Sequence, residues 1–136
     1  MKWTDEHQSI RDTAAKFVDN EINPYVDQWE EDGIFPGHDL FKKLGNLGML
    51  GISKPEKYGG LGLDYSYSIV FAEEMGRVQA AGVSTGIGIQ TDMSTPALAK
   101  FGSEELCNEF LVPAISGDVV TSIAVSEPQA GSDVAG

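Results

Sequence analysis

Val119-Val120-Thr121-Ser122-Ile123-Ala124-Val125-Ser126 breaks with everything that precedes it in this 136-residue sequence. The run is rich in β-branched residues and carries no charge, which is the composition of a strand. A strand cannot satisfy its ladder hydrogen bonds alone and normally belongs to a sheet. The stretch therefore predicts that residues 119–136 are the truncated start of a second, β domain: its first strand and the loop after it. Residues 1–118 form a domain of their own.

Upstream of the strand the pattern is helical throughout, so the fold class expected for residues 1–118 is all-α, a helical bundle. Ser103 caps a fifth helix, with Glu104 and Glu105 in its acidic first turn and Leu106, Phe110 and Leu111 expected to pack inward; Gly117-Asp118 ends it. A fourth helix runs from about Gly82 through Val83, Ile87, Gln90 and Ala97, and a third from Asp64 through Ile69, Ala72 and Met75 to Gly76. Both read as largely buried. Residues 54–64, with Pro55, Gly59, Gly60 and Gly62, favour a turn-rich loop. Pro36 suits the first turn of a second helix, along which Leu40, Phe41, Leu44 and Leu47 share a face. Thr4 caps the first helix, Asp5 and Glu6 favour its positive end, and Ile10, Ala14, Phe17, Val18 and Ile22 form a stripe until Pro24 forces a boundary or kink.

Composition narrows the function. Lys+Arg 9 against Asp+Glu 21 leaves a net charge of −12, which repels a phosphate backbone or an anionic membrane and excludes nucleic acid as a partner. Residues 80–98 carry only Asp92 yet are too polar for a membrane span. Cys107 has no disulfide partner, and with His7 and His38 it forms no metal-ligand cluster, so no metal site is expected and a reducing compartment fits. No secretory or organelle leader is visible, which points to a bacterial cytoplasm, or to a mitochondrial matrix if a presequence has been removed.

The most specific stretch is Ala124-Val125-Ser126-Glu127-Pro128-Gln129-Ala130-Gly131-Ser132-Asp133-Val134-Ala135-Gly136. Through Ser126-Glu127, Gly131-Ser132-Asp133 and Gly136 it resembles the signature of the acyl-CoA dehydrogenase family. Three further blocks resemble that family in the same order: residues 47–52 with Pro55-Glu56, Tyr58-Gly59-Gly60, Gly62 and Asp64-Tyr65; Glu73-Glu74-Met75-Gly76; and Lys100-Phe101-Gly102-Ser103-Glu104-Glu105. Ordered blocks covering nearly the whole chain are far more specific than one short motif.

The resemblance implies FAD as cofactor, contacted by Ile123, Ala124, Val125, Ser126, Glu127, Pro128, Gln129, Ala130, Gly131 and Ser132. Ser126 stands where the family places a hydroxyl reaching the flavin N5 region, and Ser132 where it contacts acyl-CoA. Two hydroxyls and glycine-relieved N–H groups at a strand end suit those contacts. Read from the residues alone, the same loop is equally a tight turn bonded to its own backbone. The resemblance also sets the fourth helix along the acyl channel, placing Gln90, Thr91 and Met93 near the substrate. Gly86 and Gly88 weaken that helix, and close packing is the compensation expected.

The implied activity is α,β-dehydrogenation of an acyl-CoA thioester to the enoyl-CoA, a glutamate taking the α proton and the β hydrogen passing as hydride to the flavin. That glutamate belongs to the family's C-terminal helical domain and matches no residue here. No catalytic residue is assigned, and the chain alone is expected to be inactive, with weak or absent FAD binding. A homotetramer or dimer passing electrons to an electron-transfer flavoprotein is implied for the whole enzyme. Acyl-CoA oxidase, a related flavin monooxygenase, and a non-catalytic helical interaction module are the alternatives. Glu73 and Glu74 point about 100° apart and read as structural, His7 and His38 as surface residues without a catalytic arrangement, and Cys107 as a packed bystander.

Overall fold

Prolines shape the helices of this chain as much as its apolar stripes do. A computed structural model describes residues 3–133; Val134, Ala135 and Gly136, which close the motif, lie outside the described residues. Helix α1 (Asp5–Phe17) is capped by Thr4, with His7 closing a reciprocal capping box at the position where Glu or Gln is usual. The chain then passes through a π-helical segment, π1 (Val18–Ile22), and a tight turn (Asn23–Tyr25) into α2 (Val26–Asp32), which ends at Gly33 with φ 67°. Pro24 lacks an N–H and its ring crowds the carbonyl four residues back. The wider π turn makes the room, so the proline bends the helix without ending it.

The same device recurs twice. Helix α5 (Ala81–Gly88) continues through π2 (Ile89–Ser94) into α6 (Thr95–Phe101), whose second residue is Pro96. Helix α7 (Glu104–Leu106) continues through π3 (Cys107–Leu111) into α8 (Val112–Ile115), whose second residue is Pro113. Between these stand α3 (Gly37–Asn46) and α4 (Tyr65–Met75), the latter capped by Asp64.

α1 packs along α4, and α3, residues 49–52 and α5 close the core around Phe17, Val18, Ile22, Phe41, Leu44, Leu50, Phe71 and Ile87. Burying each such side chain contributes roughly 1.5–3 kcal/mol. Arg11 clamps the α1–α4 seam by donating to Glu73 at 2.5 Å and Glu74 at 2.8 Å, and Arg77 joins Glu74 to Asp19. A satellite cluster of Tyr58, Cys107, Leu111 and Ile115 holds the α7–α8 helix against the 56–58 turn. Among the described residues no helix is long and apolar enough to cross a membrane, and no group of His, Cys, Asp and Glu is placed to hold a metal.

Several expectations need correction. Val119-Val120-Thr121-Ser122-Ile123-Ala124-Val125-Ser126 forms no strand among the described residues, because no second segment lies alongside to complete a ladder. Leu106 (44% exposed) and Phe110 (47%) face outward; Cys107, Leu111, Ala114 and Ile115 supply the inward face. Leu47 falls past the end of α3 and is exposed, and on α4 the buried set is Tyr67, Val70, Phe71, Glu74 and Met75, not Ile69 and Ala72.

The chain after α8 is fixed on α3 by contacts that leave no room for side chains. A Cβ on Gly45 would stand 2.2 Å from the Ser116 carbonyl oxygen, and one on Gly117, whose φ is +75°, would stand 2.1 Å from that of Phe41. Lys42 then donates to Asp118 at 2.5 Å and to the Ser116 carbonyl. Gly45→Ala should therefore cost about 1–3 kcal/mol of stability through overpacking, despite the better helix propensity of Ala. Denaturant unfolding measures this, and a neutral or stabilising result would contradict the close approach.

Two carboxyls sit below the usual carboxylate range: Asp64 through hydrogen bonds from Ser66, and Asp118 through those from Lys42 and then Ser116. A depressed folded pKa adds stability that is present above the unfolded value and lost as the pH falls through the folded one. The acid limb of Tm against pH, below about pH 4, should be shallower in Asp64→Asn/Asp118→Asn than in the parent chain.

Candidate functional site

A groove of about 280 Å³ runs between α4 and the α5–π2 helix, walled by Phe71, Ala72 and Met75 on one side and by Ile87, Gly88 and Thr91 on the other. Ser84 and Thr85 stand along it, and Asp92 lines it beside Phe71 and Thr91. Gly88 keeps the groove open: a Cβ there would meet nothing within 4 Å, and one on Gly86 would make only an ordinary 3.7 Å contact with Phe35. Close packing, the expected reason for both glycines, is therefore not what compensates them. Phe71, Thr91 and Asp92 are shared with a smaller crevice of about 10 Å³ that reaches Lys54, Ser53 and Ser68.

Lys54 is only 4% exposed and donates from Nζ to the Thr91 carbonyl at 2.8 Å. Burial lowers its pKa, and the neighbouring Asp92 carboxylate opposes that shift. Nothing in the spacing of the sequence pointed to Lys54, although it is the single charge between Gly51 and Glu56.

Gln90, Thr91 and Met93 diverge from one another. Gln90 is fully buried and its amide is spent on backbone: Nε2 donates to the carbonyls of Ala114 (2.8 Å) and Val119 (3.2 Å), and Oε1 accepts from the Thr121 N–H at 2.9 Å. Thr91 lines the groove, its hydroxyl shared between the Ile87 carbonyl and Asp92. Met93 is 57% exposed and lies outside the groove lining. The Ser94 and Thr121 hydroxyls meet at 2.5 Å, so π2 carries the head of the motif segment on one side and the groove wall on the other.

Beyond Thr121 the motif segment lies at the surface. Ile123 (43% exposed), Ala124, Val125 (70%) and Ser126 have no regular secondary structure, and Glu127, Pro128, Gln129 and Ala130 close a tight turn in which Glu127 and Ala130 exchange N–H···O bonds of 2.8 and 3.3 Å. Gly131 and Ser132 follow, exposed.

His7, expected at the surface, is 6% exposed and stacks on Tyr67 with ring centroids 3.7 Å apart. Its Nδ1 accepts the Thr4 N–H, so the proton sits on Nε2 and is donated to Ser66 Oγ at 2.8 Å, while the Ser66 hydroxyl donates to Asp64. That polarity is the reverse of a serine nucleophile's, in which the imidazole must accept from the hydroxyl. The cluster is a structural tie between α1 and α4, and the partners 59 residues apart explain why local spacing missed it.

Residues 4–118 match the family model described as the acyl-CoA dehydrogenase N-terminal domain. The chain belongs to the acyl-CoA dehydrogenase family. It is 36% identical over 135 residues to the mitochondrial isovaleryl-CoA dehydrogenase of Solanum tuberosum, covering 98% of this chain and 32% of that one. A crystal structure of an acyl-CoA dehydrogenase from Geobacillus kaustophilus superposes with a TM-score of 0.85 at 38% identity, covering 96% of this chain and 34% of that one. The Bacillus anthracis acyl-CoA dehydrogenase complexed with FAD superposes with a TM-score of 0.87 at 32% identity, covering 97% and 22%. The chain thus spans about a third of the length of the curated relatives it matches. The helical fold class is as the resemblance implied, that of the family's N-terminal domain.

In this member of the family, Gln90 makes the side-chain-to-backbone bonds that tie the segment after α8 to the π2 helix. Gln90→Leu would strand the Ala114 and Val119 carbonyls and the Thr121 N–H. It should cost about 2–3 kcal/mol and raise amide exchange at residues 119–121, measured by hydrogen–deuterium exchange; unchanged protection there would refute the tie.

Proposed function

We propose that this chain supplies one wall of the acyl site and the leading edge of the flavin site in an FAD-dependent acyl-CoA dehydrogenase, which catalyses α,β-dehydrogenation of an acyl-CoA thioester to the enoyl-CoA. One observation carries the reading: π2 holds both Thr91 in the groove wall and, through Gln90 and Ser94, the backbone that leads into the 123–132 segment. In this reading the acyl wall and the approach to the flavin segment share one helix.

The residues present fit a flavin edge. Ser126 and Ser132 are exposed, and the 127–130 turn is closed by its own backbone, which leaves the surrounding groups open to a ligand. FAD, when bound, supplies acceptance of the β hydrogen as hydride. In this reading Ile123, Ala124, Val125, Glu127, Pro128, Gln129, Ala130 and Gly131 would line the flavin with backbone, the Ser126 hydroxyl would serve its N5 region, and Ser132 would contact the acyl-CoA. Thr91 lines the acyl groove, Gln90 acts behind it as a positioning residue, and Met93 stands at its margin. The chain contributes no base for the α proton. A homo-oligomer and an electron-transfer flavoprotein as acceptor complete the proposal for the intact enzyme.

In this reading the groove's apolar wall would receive the alkyl chain, and Gly88 leaves it open space. Gly88→Phe in the intact enzyme should lower kcat/KM on long straight-chain acyl-CoA by about tenfold or more and spare short ones. Equal loss on every chain length would remove the groove from the acyl site. Oxygen consumption without an electron-transfer flavoprotein would instead favour an acyl-CoA oxidase or a flavin monooxygenase.

A further inference from the structure

Each π segment ends two residues before a proline, and the register has a consequence. In a π turn the carbonyl of residue i accepts from the N–H of residue i+5. Five residues before Pro24, Pro96 and Pro113 stand Asp19, Thr91 and Asn108, and in each case the amide that would serve their carbonyl is missing. Asp19 and Asn108 are exposed, so water can take the amide's place. Thr91 is buried, and a buried carbonyl needs a partner from the protein.

Lys54 is that partner. Its ammonium lies 2.8 Å from the Thr91 carbonyl, reaching across 37 residues of sequence from the loop before the Glu56–Tyr58 turn. Hydroxyls at the end of π2 and the start of α6 serve neighbouring carbonyls in the same way, Ser94 bonding that of Ile89 at 3.0 Å and Thr95 that of Gln90. Asp92, whose carboxylate accepts from the Thr91 hydroxyl, supplies the counter-charge at the mouth of the same crevice. The wide turn is thereby held open where a plain helix would close it.

We propose that Lys54 is a positioning residue for the groove: it replaces the backbone amide that Pro96 lacks and so fixes the π-turn wall presented by Thr91. Its relevance to turnover rests on the reading of the groove as the acyl site; the positioning role itself does not. A lysine suits this position by its reach and its donors, and the cost of burying its charge is offset by Asp92 and by the carbonyl it caps.

The restored amide is the test. Lys54→Met should speed amide exchange across residues 89–95 about tenfold, read on the chain itself by hydrogen–deuterium exchange. Pro96→Ala, which returns an N–H to position 96, should bring Lys54→Met/Pro96→Ala back close to the parent rate. Unchanged exchange in Lys54→Met overturns the proposal, as does a double variant as fast as the single one. Should Lys54→Met fail to fold, recovery of a folded chain in the double variant supports the proposal and failure of both overturns it. In the intact enzyme, Lys54→Met should shift KM for long acyl chains more than kcat. If the exchange and its rescue appear while the chain-length profile stays fixed, the positioning role stands and the acyl reading of the groove falls.

Discussion

A proline within a helix removes one amide and crowds one carbonyl, and much of this domain is arranged around that constraint. At Pro24, Pro96 and Pro113 the chain answers with a π segment instead of a break. Each helix continues past its proline with a local widening and a change of face. At Pro96 the widening falls in the interior, where water cannot serve the unpaired groups. The side chains of Lys54, Ser94 and Thr95 serve them instead.

That local answer organises the candidate site. The widened turn carries Thr91 toward the groove and Gln90 toward the chain beyond α8, so one short stretch of helix faces both. Gln90 satisfies backbone groups of Val119 and Thr121 that a neighbouring strand would otherwise pair. Gly45 and Gly117 bring α3 against the chain just before it, at Ser116 and Gly117, by having no side chain to interpose. The start of the run that looked like a strand is thus held by the Gln90 amide and the Ser94 hydroxyl, behind a close approach at two glycines.

Local signals were legible in proportion to how local their physics is. Thr4, Asp64 and Ser103 cap the helices that their residue types suggest, because a cap bonds an amide two or three residues away. The stripe of Ala14, Phe17, Val18 and Ile22 is buried as its spacing implies. The face of the α7–α8 helix was misjudged, since Leu106 and Phe110 fit a helical period as well as Cys107 and Leu111 do, and only the neighbours decide which side is inside. His7 was read as a surface residue and Lys54 was not singled out, because the partners that bury them lie 59 and 37 residues away.

What the amino-acid sequence determined by itself was the family, through ordered blocks along nearly the whole chain, and the helical class, through apolar periodicity and capping residues. Both are properties of residue type and short-range spacing. The tertiary structure alone decided that Gly88 opens a groove, that Gln90 is consumed by backbone, that His7 is buried in a polarity unsuited to catalysis, and that a buried lysine replaces a proline's missing amide. Each of these turns on which atoms from distant segments meet away from water, where an unpaired polar group or an unfilled space carries its full energetic cost.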